Sequence, residues 1–165
     1  MSEVTTTYLE MRAPEELRPK RSLDDRFWIG QATVPQWRFN RFLYLAVGEA
    51  WAWRDKHAWT DERWRAYVEN DRLKTFVAYY DAAPAGYYEL LHEESNQVKI
   101  AYFGMMPAFL GRGLGGVLLT SALEEAWGLA PVRVWVHTCT LDHPAALANY
   151  QARGMKIWRV TSEAR

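Results

Sequence analysis

The residues with the clearest chemical meaning are four glycines around one arginine in the stretch FLGRGLGGVLL, residues 109–119. The stretch follows a segment typical of a strand and runs into aliphatic residues typical of a buried helix, so the glycines fall at a helix N-terminus. Unpaired N–H groups and the positive end of the helix dipole meet there and favour a bound anion such as phosphate. Because glycine lacks a Cβ, a ligand can approach these amides closely. The stretch predicts a phosphate-binding loop; tight packing of the helix end is the alternative interpretation.

The spacing of the glycines argues against two common phosphate-binding loops. A Walker A loop needs Lys and then Ser or Thr after its last glycine, whereas Gly116 is followed by Val117 and Leu118. A dinucleotide fingerprint is G-x-G-x-x-G in a parallel βαβ unit, whereas these glycines run G-R-G-L-G-G and follow a predicted antiparallel meander. Nucleotide hydrolysis and dinucleotide binding are therefore both disfavoured.

Three other side chains could take part in chemistry. Glu89 lies between tyrosines and leucines in GYYELLH, and such surroundings should raise the pKa of the carboxyl towards the range of a general base. An exposed or salt-bridged carboxylate is the alternative. His137 ends the segment VRVWVH and titrates in a useful range, with a structural histidine as its alternative. Cys139 has no nearby Cys-His-acid arrangement, so we expect it to be buried and inert.

Alternating and helical periodicities predict the elements that position these residues. Strands are expected at 4–11, 74–80, 85–92, 98–105, 132–137 and 155–160, and 27–33 is either a short strand or a packed loop. Helices are expected at 36–48, from the cap Thr60 through Val68, at 114–127 with most of its surface buried, and at 144–153. The order predicts an α/β fold with a mixed sheet. Its 165 residues and 49% hydrophobic content favour a single domain over 1–165.

Composition narrows the function classes. Twenty basic residues balance twenty acidic ones, so no bulk field attracts nucleic acid or an anionic membrane. The polar N-terminus and the lack of a long apolar run predict a cytoplasmic protein without a membrane span. One cysteine and four scattered histidines predict neither a disulfide nor a metal site.

Residues 106–119, MPAFLGRGLGGVLL, resemble motif A of the GCN5-related N-acetyltransferase (GNAT) family, V-x-P-x-x-[QR]-x-x-G-x-[GA]. The resemblance covers about residues 74–160 and implies a central, mostly antiparallel, splayed sheet flanked by helices. It implies that backbone amides of the loop bind the pyrophosphate of acetyl-CoA, with Arg112 as a side-chain partner. Leu110 stands at the family's Gln/Arg position, which removes a side chain but leaves the amides in place. The implied cofactor-binding residues of the loop are Leu110, Gly111, Arg112, Gly113, Leu114, Gly115 and Gly116.

Residues 138–155, TCTLDHPAALANYQARGM, are similar to motif B of the same family, N-x-x-A-x-x-x-Y-x-x-x-G-F. Ala146, Tyr150 and Gly154 fall into register, and Met155 replaces the usual Phe. His143 stands at the Asn position and either contacts the pantetheine arm or caps the helix.

The resemblance also implies roles in acetyl transfer. Tyr150 would protonate the departing thiolate, Glu89 would be the general base directly or through a water, and His137 is the second candidate for the base. The splayed strand 98–105 would hold pantetheine and offer the backbone N–H of Met105 or Met106 to the thioester carbonyl.

The acceptor is expected at the loop between the first two helices, which is rich in aromatic and acidic residues. These residues are Glu49, Trp51, Trp53, Asp55, Trp59 and Trp64. An aromatic, partly acidic wall suits a small amine, although core packing would explain several of the tryptophans equally well.

The sequence predicts an acetyl-CoA-dependent N-acetyltransferase acting on a small-molecule primary amine by direct transfer, as a monomer or homodimer. The alternatives are a CoA-binding regulatory or degenerate module without turnover, a transferase for protein or peptide amines, and a nucleotide-phosphate binder of another fold.

Overall fold

A computed structural model describes residues 2–165 of the chain. The strands are β1 (Glu3–Met11), β2 (Phe27–Gln31), β3 (Leu73–Tyr80), β4 (Ala83–His92), β5 (Gln97–Met105), β6 (Arg133–Cys139) and β7 (Lys156–Ala164). The α-helices are α1 (Trp37–Gly48), α2 (Asp61–Val68), α3 (Leu114–Trp127) and α4 (Ala146–Ala152).

The described strands form one sheet in the order β2-β3-β4-β5-β6-β1-β7. Short turns join β3, β4 and β5 into the predicted antiparallel meander. The pair β5 and β6 is parallel, because the chain crosses over through α3 before it returns to the sheet. A mixed α/β fold with a mostly antiparallel sheet is thereby confirmed.

The sheet opens between β5 and β6. These strands pair over only three positions, from Gln97 opposite Arg133 to Lys99 opposite Trp135. The rest of β5, through Met105, has no ladder partner in β6 within the described chain, so the two strands diverge. The predicted splay therefore leaves one side of the β5 backbone available to a ligand.

Helices cover the two faces of the sheet around this opening. Helix α3 buries Leu118, Leu119 and Leu123 completely in the main core, as the sequence predicted. Helix α1 packs Leu43 and Val47 on the other face. Because side chains alternate along a strand, successive residues of β4 face α3 and the α1–α2 layer in turn.

Several local expectations can be compared directly with the structure. The ambiguous segment 27–33 contains strand β2, and Thr60 caps α2 by accepting the Arg63 N–H at 3.2 Å. The start predicted for the fourth helix was two residues too early, because residues 144–145 form a turn before α4. Cys139 is half-buried rather than buried, since it lies at the end of β6. None of the helices described is long and apolar enough to cross a membrane.

Candidate active site

The glycine stretch is a loop in which two positions have the left-handed backbone conformation that favours glycine. Gly111 and Gly113 both have φ of +74°, and Gly113 is the N-cap of α3 without a side-chain capping bond. A residue with a Cβ would be strained at this angle. No side chain of Gly111 or Gly113 covers the N-terminal amides of α3, which suits the binding of an anion.

Two cations that the sequence did not single out flank this loop. The Lys20 ammonium lies 3.1 Å from the position of a Cβ on Gly113, and Arg153 Nη1 lies 2.6 Å from that of a Cβ on Gly116. The Nε and Nη1 atoms of Arg153 are buried without a hydrogen-bond partner among the described residues. Burying these charged donors without an acceptor is costly, so the site fits a bound anion with several oxygens.

The chain segment before β2 brings these cations together. The Arg18 N–H donates to the Arg153 carbonyl at 2.9 Å, and the Lys20 N–H donates to Thr120 Oγ1 at 2.9 Å. The Asn149 side chain donates to the Gly115 carbonyl at 3.2 Å and joins α4 to α3. The basic run RPKR at residues 18–21 is the only sequence signal for this contribution.

The two side chains of the loop itself play different parts. The Arg112 guanidinium is exposed and lies 5.1 Å from the Phe109 ring centroid and 5.8 Å from that of Tyr80. Leu110 is half-buried against the main core. Leu110 therefore packs against the core at the position where the family has Gln or Arg. Lys20 and Arg153 supply positive charge at the loop instead.

The splay presents one of the two backbone donors named from the sequence. The Met106 N–H already donates to the Ala85 carbonyl at 2.8 Å. N–H groups alternate in direction along a strand, so the Met105 N–H points away from β4 and into the opening towards β6. Of the two candidates, Met105 is the one oriented for a ligand.

Glu89 lies at a buried position on the α1–α2 face of β4. Its residue is only 2% exposed. Its Oε1 accepts a hydrogen bond from the Tyr67 hydroxyl at 2.8 Å, and its Oε2 accepts one from Asn40 Nδ2 at 3.1 Å. The same Asn40 amide donates to Thr75 Oγ1 at 2.9 Å. Asn40 and Tyr67 lie far from Glu89 in the sequence, so no motif or periodicity predicts these hydrogen bonds.

Burial dominates the electrostatics of Glu89. Desolvation raises the pKa of this carboxyl, although the hydrogen bonds from Tyr67 and Asn40 oppose the effect. A break in the β4–β5 register follows directly, since Glu89 pairs with Tyr102 and Leu90 with Ile100. The bulge lies beside the candidate base, where irregular pairing re-aims side chains.

Tyr150 lies on α4 and reaches towards the opening from the other side. Its residue is 5% exposed, and its ring centroid lies 6.0 Å from that of Phe103 on β5. Burial raises the pKa of its hydroxyl, so the group stays protonated at neutral pH and can donate a proton.

The histidines take separate positions. His143 Nδ1 accepts the Ala145 N–H at 3.0 Å within the turn before α4, whereas the N-cap of α4 is Ala145 and has no side-chain capping bond. His137 is exposed and packs beside the Tyr8 and Trp135 rings, at centroid distances of 5.6 Å and 6.2 Å. Partial desolvation, followed by the nearby Lys99 ammonium, lowers its pKa. His137 and Glu89 therefore share none of these contact residues, since Glu89 bonds Tyr67 and Asn40.

The expected acceptor wall divides into core and surface. Trp64 is buried in the core and Trp51 packs against His143. Trp53 spans the mouth of the splay, because its Nε1 donates to Asp142 Oδ1 at 3.3 Å while its ring lies 5.0 Å from that of Tyr102. Glu49 is exposed.

Beside Trp53, the Tyr87 hydroxyl is fully buried and has no hydrogen-bond partner among residues 2–165. The rings of these two residues meet edge to face, with centroids 6.5 Å apart. An orphan hydroxyl next to Glu89 in the sheet leaves a donor for a polar group of a ligand.

Comparison with known proteins identifies the family of the chain. The sequence profile of the "Acetyltransferase (GNAT) family" matches residues 35–155. No curated protein matches the chain significantly in sequence.

Solved structures resemble the fold at low sequence identity. A GCN5-related N-acetyltransferase from Kribbella flavida superposes with a TM-score of 0.67 at 14% identity, covering 96% of this chain and 56% of that chain. One from Sphaerobacter thermophilus gives 0.69 at 14% identity, covering 96% and 49%. An aminoglycoside acetyltransferase from an uncultured soil metagenomic sample gives 0.65 at 14% identity, covering 80% and 90%. The chain spans about half the length of the first two.

The family profile matches most of the chain, and its match includes both the glycine loop and Tyr150. Helix α3, the splay and α4 meet where the loop, the Met105 N–H and Tyr150 lie. The chain therefore belongs to the GNAT acetyltransferase family.

Proposed function

We propose that the protein is an acetyl-CoA-dependent N-acetyltransferase that acts on a small-molecule primary amine by direct transfer within one domain. The observation that carries the proposal is Arg153 beside the glycine loop, whose Nε and Nη1 atoms are buried and lack a hydrogen-bond partner among the described residues. Together with Lys20 and the α3 amides, Arg153 offers N–H donors and positive charge to a diphosphate at the end of the splayed sheet.

The residues present fit acetyl-CoA. The loop from Gly111 to Gly116, Lys20 and Arg153 would hold the pyrophosphate, and the open side of β5 would hold the pantetheine arm as an added strand. When bound, acetyl-CoA supplies an acetyl group as a thioester and leaves as a thiol. The Met105 N–H is oriented to donate to an oxygen in the opening.

Glu89 and Tyr150 would move the protons. An amine must lose a proton to act as a nucleophile, and a buried carboxylate with a raised pKa is a stronger base than an exposed one. Tyr67 and Asn40 hold both carboxylate oxygens and fix the direction of Glu89. Tyr150 keeps its proton at neutral pH and would donate it to the leaving thiolate.

His137 is less suited to be the base than Glu89. It is exposed and contacts Tyr8 and Trp135, whereas Glu89 lies among polar groups on the α1–α2 face. The balanced charge of the chain favours a small amine as the acceptor over nucleic acid or a membrane surface. We place the protein in the cytoplasm in this proposal.

Acetyl-CoA binding tests the first half of the proposal. Titration calorimetry should give a dissociation constant for acetyl-CoA that is at least tenfold lower than that for ATP, since only the longer ligand can also pair with β5. Mass spectrometry of a panel of polyamines, amino acids, aminoglycosides and peptides should then reveal acetylated amine. Preferential binding of ATP would point to a nucleotide binder, and acetyl-CoA binding without any acetylated product would point to a regulatory module.

A further inference from the structure

A buried lysine occupies an aromatic cage next to the candidate base. Lys56 is 9% exposed, and its one ion pair within residues 2–165 is with Asp55. Its Nζ lies 4.1 Å from the Trp59 ring centroid, 4.7 Å from that of Tyr102 and 4.9 Å from that of Tyr67. Three rings around one ammonium form a cation-binding cage.

Asp55 completes this cage. Its Oδ2 lies 3.4 Å from Lys56 Nζ and also accepts a hydrogen bond from the Tyr102 hydroxyl. Its Oδ1 accepts a hydrogen bond from the Tyr44 hydroxyl at 2.9 Å, and the Tyr44 oxygen accepts the Lys56 N–H at 3.1 Å. The hydrogen bonds of Tyr44 hold the backbone of the loop. Among the described residues, the Lys56 ammonium contacts the three rings and Asp55.

The cage is joined to Glu89 through one of its walls. Tyr67 presents its ring to the Lys56 ammonium and its hydroxyl to Glu89 Oε1 at 2.8 Å. Tyr102, the second wall, is the residue opposite Glu89 in the sheet. A primary ammonium therefore already lies beside the group that would deprotonate an acceptor.

A purely structural lysine would be expected to pair with a buried acceptor, because an ammonium loses hydration on burial. The Asp55 side chain is instead 59% exposed, so the ion pair contributes little. Asp55, the acidic side of the cage, meets solvent at the loop surface. These features suit a site whose cation can be exchanged.

We propose that the cage of Trp59, Tyr67 and Tyr102 with Asp55 is the subsite for a cationic acceptor amine, and that Lys56 fills it until the acceptor displaces it. Calling the ligand an acceptor rests on the proposed function; the cation site itself does not. The substrate class is an alkylammonium compound, because the ring faces and the Asp55 carboxylate attract a cation and repel an anion. Because Lys56 competes for the cage, it lowers the apparent affinity of the cage for the acceptor amine.

The test uses tetramethylammonium, which cannot be acetylated, in the absence of acetyl-CoA. Lys56→Ala should empty the cage and bind this cation at least tenfold more tightly than the wild-type protein, measured by tryptophan fluorescence and calorimetry. Lys56→Arg refills the cage with a cation and is the matched control, which should show no gain. Trp59→Ala in the Lys56→Ala background should remove the gain.

A second measurement on the wild-type chain avoids dependence on the folding of Lys56→Ala. Acetic anhydride should modify Lys56 slowly, and saturating tetramethylammonium should speed that modification at least fivefold by displacing the side chain, as read by peptide mass spectrometry. Equal affinities in Lys56→Ala and Lys56→Arg, or unchanged labelling of Lys56, would overturn the inference. If acetylated amines still form in that case, the proposed function stands and only the cage assignment fails.

Discussion

The Tyr67 hydroxyl donates a hydrogen bond to Glu89 Oε1 at 2.8 Å and thereby links helix α2 to the centre of the sheet. The pKa of Tyr67 is raised, first by burial and then by the Glu89 charge, so Tyr67 remains a donor. The carboxylate is therefore held in one orientation by neutral hydrogen-bond donors, Tyr67 and Asn40, while the nearby Lys56 charge acts on it without a hydrogen bond. That is the arrangement expected of a base that must still accept a proton.

The burial of Glu89 should make stability depend on pH. A carboxyl whose pKa is raised in the folded state favours folding below its unfolded pKa, near 4.5, and loses that contribution as pH rises through its folded pKa. The Glu89→Gln variant should therefore gain stability relative to wild type as pH rises above 4.5, by about 1.4 kcal/mol per pH unit inside the window. Its amide can be accommodated by reversing the Asn40 side-chain amide.

Chemical unfolding at several pH values measures this difference. The exposed variant Glu94→Gln is the control and should run parallel to wild type. A constant difference between Glu89→Gln and wild type from pH 4.5 to pH 8 would contradict a raised pKa.

Replacing Tyr150 by Phe should slow turnover without weakening acetyl-CoA binding. The change removes a buried proton donor while leaving the ring against Phe103. General-acid contributions are about 10²-fold to 10⁴-fold, so kcat should fall by at least about 10²-fold. Tyr88→Phe is the matched control, because its hydroxyl bonds Ser121 at 2.8 Å on the α3 face. Equal losses in the two variants would assign Tyr150 to packing alone.

Arg153→Met should affect the free and the ligand-bound protein in opposite directions. Removing the two buried nitrogen atoms that lack a partner among the described residues should raise the Tm of the free protein, since each unsatisfied group costs about 1–3 kcal/mol. The same change should weaken acetyl-CoA binding by about tenfold or more through loss of charged hydrogen bonds. Thermal unfolding with and without acetyl-CoA reads both effects, and Arg159→Met on the exposed strand β7 is the control. A lower Tm with unchanged acetyl-CoA affinity would make Arg153 structural.

Two glycines of the loop should respond differently to alanine. Gly113→Ala places a side chain at φ of +74°, where a left-handed conformation costs about 1–2 kcal/mol. Gly115 lies in the first turn of α3, and its Cβ would meet Asn149 Nδ2 at an ordinary 3.7 Å, so Gly115→Ala should gain about 0.5–1 kcal/mol. Urea unfolding of both variants should give opposite signs. A loss in both would mean that the first turn is crowded at Gly115.

Periodicity predicted most of the fold, because strands and amphipathic helices leave local patterns. The cap Thr60 and the buried stripe of α3 are of that kind. Segment 27–33 stayed ambiguous since Phe27 alone of β2 is buried. The α4 start was misplaced because Pro144 can open either a helix or a turn.

The site was only partly predictable for a different reason. The glycine loop, Glu89 and Tyr150 lie in local motifs, whereas Asn40 and Arg153 reach their places through long-range contacts. The sequence expected aromatic residues around the acceptor within one loop, whereas the proposed cage combines Trp59 of that loop with Tyr67 of α2 and Tyr102 of β5. No spacing rule joins residues from α2 and β5.

Acceptor-dependent thiol release by wild type and Glu89→Gln tests the central claim most directly. Wild type with saturating acetyl-CoA should release thiol only when an alkylamine is present, in equal amount to the acetylated amine formed. Glu89→Gln should bind acetyl-CoA as tightly and release thiol at least about 10²-fold more slowly at neutral pH. Thiol release that is the same in both proteins, or that is independent of the amine, would contradict an N-acetyltransferase with Glu89 as its base.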